Sequence, residues 1–297
     1  MADLKKSNIL LYGEGGTGKS TSVASIFKLL PKCPDLKIRY LCTEANALAG
    51  LEEGLDRHEI KLKKGQLHYM VCRPNPATSV TSTQIAKEYE QNFLMLSESD
   101  ALKVKINSGD RAKRTAFITI LKGMASFKGI DYVTGESEDL GDYLKWDTNT
   151  VFVIDSLTSC VDYLINEVKA TRIATIQSDY NNVQQNLMSK IVIPLTEQSS
   201  CSVIMLGHPC MGEDQTVKQP SNQEDKILKL YPRTFGQALN NTIVSKFTET
   251  IYAYVDRSDS FYWAGKMAGV ATSPRRVPRK DKLTPDFSMY PIFGNFD

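Results

Sequence analysis

The chain has 297 residues, with 36 Lys and Arg against 34 Asp and Glu, 41% hydrophobic residues and 24% charged residues. These proportions exclude disordered, collagenous and fibrous proteins, and no apolar run reaches the ~18 residues of a membrane span. A net charge of +2 neither demands nor forbids a nucleic-acid partner. Residues 1–6 (MADLKK) carry no apolar signal-peptide core, which argues against secretion. Six cysteines, at 33, 42, 72, 160, 201 and 210, form no CxxC pair. They read as reduced core thiols of a cytoplasmic protein rather than as a disulfide or zinc framework.

Taken in chain order, residues 7–12 (SNILLY) suit a buried strand, and a glycine-rich turn follows. Residues 20–30 carry Val23, Ile26, Phe27 and Leu30 at helical spacing up to Pro31. Further strands are expected at 37–42 (KIRYLC) and 67–72 (LHYMVC), the latter before the breakers Pro74 and Pro76. Helical patterns occupy 81–97 and 111–127, and 129–150 reads as a loop-rich return to the sheet. The run 151–154 (VFVI) has the character of a parallel strand covered on both faces, and Asp155 closes it. A long helical pattern at 178–196 precedes a central strand at 201–206 (CSVIML). A polar segment at 207–233, a helix at 235–247 and an antiparallel pair at 250–256 and 261–266 complete the chain. Strands alternating with helices predict an α/β fold with a mostly parallel central sheet and helices on both faces. The expected organisation is one domain over 1–297, with a helical insertion at about 74–149 and a C-terminal β-hairpin and basic tail over about 250–297.

Residues 13–20 (GEGGTGKS) match GxxxxGK[ST] between a strand and a helix, the context that motif requires. Its glycines let backbone N–H groups turn inward around phosphate oxygens, and the following helix directs its positive end at the same anion. Gly13, Glu14, Gly15, Gly16, Thr17, Gly18, Lys19, Ser20 and Thr21 are therefore the expected ATP-binding residues. Lys19 is expected to reach the β and γ phosphates, and Ser20 to place its hydroxyl on Mg²⁺. Asp155, at the end of an apolar strand, is the expected second magnesium ligand, at the Walker B position. Ser156 either steadies that carboxylate or sits in a turn. Glu44, just past the strand 37–42, is placed to activate water; its competing role is to cap the helix that begins near Ala45.

The run 39–48 (RYLCTEANAL) resembles the strand that ends in the catalytic glutamate of RecA recombinases, and 153–157 (VIDSL) resembles their Walker B strand. The run 203–208 (VIMLGH) is similar to their nucleotide-sensing strand, with His208 where Gln is usual. The run 235–239 (FGQAL) resembles the helix after their second DNA-binding loop. These motifs keep the RecA order over most of 7–256, and the chain looks closest to compact RecA-like ATPases encoded by bacteriophages, associated with single-strand annealing and recombination. The resemblance implies a Mg²⁺-dependent P-loop ATPase that binds single-stranded DNA as a homo-oligomer, ring or filament, with ATP at subunit interfaces. It also implies DNA loops near 167–180, with Lys169 and Arg172, and at 209–233, with Lys218, Lys226, Lys229 and Arg233.

Lys280 and Lys282 resemble the paired lysines that RecA extends to a neighbour's ATP, with Arg275 and Arg276 as the alternative register. Two departures stand out. Only six residues precede the first strand, where RecA carries a filament-assembly helix and strand, and the segment 74–149 is far longer than the usual connection. Lys103, Lys105, Arg111, Lys113, Arg114, Lys122 and Lys128 make part of it basic, which suits a DNA surface, a lid or a partner site. In 209–233 the four cations are matched by Glu213, Asp214, Glu224 and Asp225, and Tyr231 is the loop's aromatic ring. Composition therefore leaves two alternatives open: a regulatory RecA-core ATPase acting on protein partners, and a helicase or packaging motor.

Overall fold

A computed structural model describes residues 4–44, 46–72, 110–169, 177–214, 216–217, 226–234 and 236–295. The chain opens with β1 (Asn8–Gly13), α1 (Lys19–Val23) running on as a 3₁₀ segment (Ala24–Leu29), β2 (Lys37–Cys42), α2 (Ala47–Arg57) and β3 (Leu67–Val71). It continues through α3 (Asp110–Ala125), β4 (Lys128–Asp131), β5 (Ser137–Asp139), β6 (Thr150–Asp155), α4 (Leu157–Lys169) and α5 (Gln177–Leu187). The last elements are β7 (Ser202–Gly207), β8 (Pro209–Glu213), β9 (Leu228–Pro232), α6 (Gln237–Ser245), β10 (Glu249–Val255) and β11 (Phe261–Ala264).

Among the described residues, nine strands form one sheet in the order β11-β10-β1-β7-β6-β2-β3-β4-β5. The pairings from β10 to β3 are parallel, and antiparallel strands close both ends. Strands β1, β6 and β7 are buried along their whole length, which explains their unbroken apolar sequences. Period-two alternation sorts their side chains into two cores. Ile9, Leu11, Ile38, Tyr40, Val151, Val153 and Ile204 cluster with residues of α1 and α2. Leu10, Leu41, Phe152, Ile154, Val203 and Met205 cluster with α3, α4, α5 and α6. Helices therefore cover both faces. Five of the six cysteines, Cys33, Cys42, Cys72, Cys160 and Cys201, are buried. Among the described residues no helix is long and apolar enough to cross a membrane.

The expected mostly parallel sheet and the C-terminal antiparallel hairpin are both present, and 37–42 is β2 end to end. Several expectations need correction. The helix expected at 20–30 changes to 3₁₀ geometry after Val23, and the pattern at 178–196 is α-helical only to Leu187, continuing as π-helical turns. The return segment is not merely a loop: β4 and β5 extend the sheet, each too short and polar to register as a strand. The segment 209–233 contains a two-stranded ribbon, β8 with β9, in which Pro209 opposes Pro232.

The C-terminal basic run is not a loose tail. The buried Glu249 carboxylate accepts hydrogen bonds from the backbone N–H groups of Arg275 and Arg276, both at 2.8 Å. Phe287, Ile292 and Phe293 then enter the α1/α2-side core. Within the expected insertion, α3 carries the second helical pattern, while the pattern at 81–97 lies outside the described residues.

Candidate nucleotide site

The site lies where β1, β2, β6 and β7 end, because parallel strands deliver their C-terminal residues to one edge. β1 terminates at Gly13, where a Cβ would stand 2.0 Å from the Ala253 carbonyl oxygen of β10, so no side chain fits. The loop then turns through Gly16 and Gly18 at φ of 75° and 73°, values that favour glycine. Lys19 opens α1, and its ammonium donates to the carbonyls of Gly13 at 2.8 Å and Glu14 at 2.7 Å. Burial pushes its pKa down against the opposing pull of Asp155, Glu44 and Glu14.

Ser20 Oγ donates to Asp155 Oδ2 at 2.6 Å, joining the glycine loop to the end of β6. Tyr40 Oη, from β2, donates to the same oxygen at 2.7 Å. Asp155 is 4% exposed, and burial raises its pKa against the opposing effects of Ser20, Tyr40 and Lys19. A hydroxyl and a buried carboxylate in contact at the foot of the glycine-rich loop are hard oxygen donors of the kind that Mg²⁺ takes.

Glu44 follows β2. Its Oε1 accepts from Ser156 Oγ and from Ser159 Oγ at 3.2 Å, and His208 Nε2 of the β7 end lies 3.4 Å away. The His208 hydrogen bond is the main influence holding the Glu44 pKa down to about 2; burial opposes it, and the two serines assist. In this arrangement Glu44 is ionised and weakly basic, and it gains basicity when these contacts loosen. Thr43 Oγ1 accepts from Ser156 N at 2.6 Å, across a cis Asp155–Ser156 peptide, and His208 N donates to Thr158 Oγ1 at 2.9 Å. The first turn of α4 thus touches the ends of β2 and β7.

Lys19, Ser20, Glu44, Asp155, Ser156 and His208 line a cavity of about 460 Å³ that also includes Thr17, Thr21, Gly50 and Phe261. The expected residues Gly15, Gly16, Gly18, Lys19, Ser20, Glu44, Asp155 and His208 all reach it. Sequence reasoning missed Tyr40, Ser159, Phe261 and Arg57. Phe261, on β11, sits under the loop: a Cβ on Gly18 would lie 3.3 Å from its ring, and the Arg57 guanidinium carbon is 5.8 Å from the ring centroid. Ser156 and Ser159, one helical turn apart directly after Asp155, were the one available sequence signal.

The other expected residues lie elsewhere. Lys280 is exposed, and Lys282 pairs with Asp256 at 3.0 Å and covers the Tyr262 ring at 4.7 Å. Arg276 turns into its own chain, donating to Ser7 Oγ and to the Ile292 carbonyl, while Arg275 is exposed. On the ribbon, Lys226 faces Glu213 at 3.4 Å, Lys229 faces Asp214 at 3.8 Å, and Arg233 faces Asp162 at 3.0 Å. Lys218 and Arg172 lie outside the described residues, and Lys169 closes α4.

No protein-family model matches the sequence, and none of the curated proteins matches it. Among solved structures, the chain is similar to the assembled ATPase EscN of the enteropathogenic E. coli type III secretion system, at 11% identity and a TM-score of 0.36, over 84% of this chain and 43% of that one. A second type III secretion ATPase gives 11% identity and a TM-score of 0.34, over 85% of this chain and 51% of that one. A KaiC-like protein from Pyrococcus horikoshii gives 12% identity and 0.33, over 93% of this chain and 83% of that one. The chain therefore spans about half the length of the two secretion ATPases. Likeness of this degree assigns neither substrate nor partner.

Proposed function

We propose that the chain is a Mg²⁺-dependent ATPase of RecA type that binds single-stranded DNA and serves recombination, annealing or repair as an oligomer, akin to the compact phage-encoded ATPases it resembles. The observation that carries the ATPase reading is the convergence of Lys19, Ser20, Asp155, Glu44 and His208, from four strand ends, on one cavity. Lys19 supplies a point charge to the transferring phosphate once its ammonium leaves the Gly13 and Glu14 carbonyls. Ser20 and Asp155 would hold magnesium, which when bound neutralises charge on the phosphate oxygens. Glu44 orients and deprotonates water, and His208 relays the state of the site to the ribbon, since Arg233 N donates to the His208 carbonyl at 2.7 Å.

The DNA reading rests on the ribbon following His208 and on the resemblance. A protein-partner reading is favoured by a specific observation: the described ribbon cations already face carboxylates, while Met211 and Leu228 stand 59% and 50% exposed. Measuring phosphate release alone, with oligonucleotide and with duplex decides between them. Stimulation by single strands supports the first reading, duplex-dependent translocation supports a motor, and indifference to both supports the second.

Lys280 and Lys282 are proposed to act on a neighbouring subunit's ATP. A rate per subunit that climbs with protein concentration supports this. So does partial recovery of activity on mixing Lys280→Ala/Lys282→Ala with Lys19→Ala, because one variant retains the fingers' target and the other the fingers.

A further inference from the structure

We infer that Tyr40 is a positioning residue that orients Asp155 toward magnesium; the inference rests on the nucleotide reading above. β2 and β6 run parallel in a register that sets Tyr40 beside Val153 and Cys42 beside Asp155. Side chains two apart on a strand share a face, so Tyr40 and Asp155 both project toward α1 and α2. The tyrosine is fully buried, at 0% exposure, in the same core cluster as Ile38, Val153 and Leu51. A phenylalanine would fill that volume, and a hydroxyl buried there is costly unless it is bonded. Its oxygen, with one proton to donate, lies 2.7 Å from Asp155 Oδ2 and 3.5 Å from the Ala47 carbonyl oxygen. The carboxylate is the shorter and charge-assisted choice.

Two hydroxyls meet on Oδ2, but they are not equivalent. Ser20 stands at the cavity edge, half-buried, and as a metal ligand its oxygen turns a lone pair to the cation. Tyr40 is held by the core and is not among the residues that line the cavity. Its bond is therefore the one that stays unchanged when nucleotide arrives. By pinning Oδ2 it sets the direction of Oδ1, which neither hydroxyl contacts. Partners of this kind, one step behind a metal ligand, typically account for roughly 10–100-fold in metal affinity.

The test uses the full chain and a fluorescent non-hydrolysable ATP analogue, with anisotropy read while MgCl₂ is titrated and again in EDTA. Tyr40→Phe is expected to raise the half-saturating Mg²⁺ concentration by about 10–100-fold while leaving analogue affinity in EDTA within about twofold of wild type. In an Asp155→Asn background the same change should cost nothing further, because coupled residues are non-additive. Tyr40→Met, which lacks the hydroxyl but packs differently, should repeat the magnesium effect, and the unfolding midpoint of each variant is read alongside. An unchanged magnesium dependence, a loss equal with and without magnesium, or an undiminished effect in the Asp155→Asn background each overturns the inference. Wild-type protein that fails to bind the analogue in magnesium overturns the nucleotide reading itself, and this one with it.

Discussion

Replacing Gly54 with alanine sets two effects of opposite sign against each other. Alanine in a helix interior ordinarily stabilises by about 1 kcal/mol relative to glycine. At Gly54, on the buried side of α2, a Cβ would lie 2.2 Å from the Thr21 carbonyl oxygen and 2.8 Å from the Ala24 Cβ. Real Cβ atoms do not approach below 3.0 Å, so the helix has to retreat by about 1 Å from α1. The obstructing atom belongs to the backbone and cannot rotate aside, and retreat unpacks Leu51 and Leu55, now 0% and 3% exposed. Overpacking of this kind costs about 2–3 kcal/mol, leaving a net loss of about 1–2 kcal/mol after the propensity gain. With a urea m-value of about 2 kcal/mol/M the unfolding midpoint should fall by about 0.5–1 M. Gly123→Ala is the control. Its nearest obstruction, at 2.3 Å, is the mobile Met70 methyl, so the substitution should be neutral or stabilising. A Gly54→Ala protein at least as stable as wild type would refute the argument that α1 and α2 pack backbone to backbone.

Glu44→Gln should keep nucleotide binding and lose hydrolysis, since the amide retains shape without basicity; turnover near wild type in a phosphate-release assay removes Glu44 as the base. His208→Ala should leave basal ATP binding measurable but uncouple it from oligonucleotide, and equal DNA stimulation in both proteins rejects the sensor role. Replacing Lys226, Lys229 and Arg233 with alanine should flatten the salt dependence of strand binding by roughly 0.7 in log–log slope per lost phosphate contact. An unchanged slope moves the weight to the protein-partner reading. Asp286 supplies a pH test. Burial alone would raise its pKa, but the Lys28 ion pair at 2.5 Å and the Ser288 bonds prevail and hold it below the usual value of 3.8. A depressed carboxyl stabilises above its unfolded pKa and loses that contribution as pH falls. Lys28→Met should therefore cost about 1 kcal/mol at pH 7, screening included, and the gap from wild type should close below about pH 3.8. A gap independent of pH excludes the ion pair as its cause.

The glycine-rich turn after β1 was legible because its demands are local: Gly13, Gly18 and Lys19 answer a backbone turn whose geometry a short segment contains. Strand β2 and the hairpin β10–β11 were legible for a similar reason, since alternation and buried runs write themselves into consecutive residues. The ribbon was not. Its strands are five residues each, the first opening and the second closing on a proline, and they are separated by 214–227, so neither announces its partner. Phe261 joins the site only because β11 packs at the sheet edge behind β10 and β1, and no spacing in the sequence links it to Gly18. Tyr40 reads as one more core aromatic until the register with β6 brings its hydroxyl to Asp155.

The seating of residues 275–295 changes how the basic run there can be studied. Glu249 grips its start, Arg276 reaches across to Ser7, and Lys5 N donates to the Phe293 carbonyl at 2.7 Å, so the segment acts as a staple that ties the start of β10 and the residues leading into β1 to the α1/α2-side core. Trimming it to remove Lys280 and Lys282 would also extract Phe287, Ile292 and Phe293 and leave Arg276 and the Lys5 N–H without the Ile292 and Phe293 carbonyls. A dead truncation would therefore report collapse, not chemistry. Point substitutions at the exposed ammonium groups separate the two, and a fused tag belongs on a linker long enough to leave the staple seated.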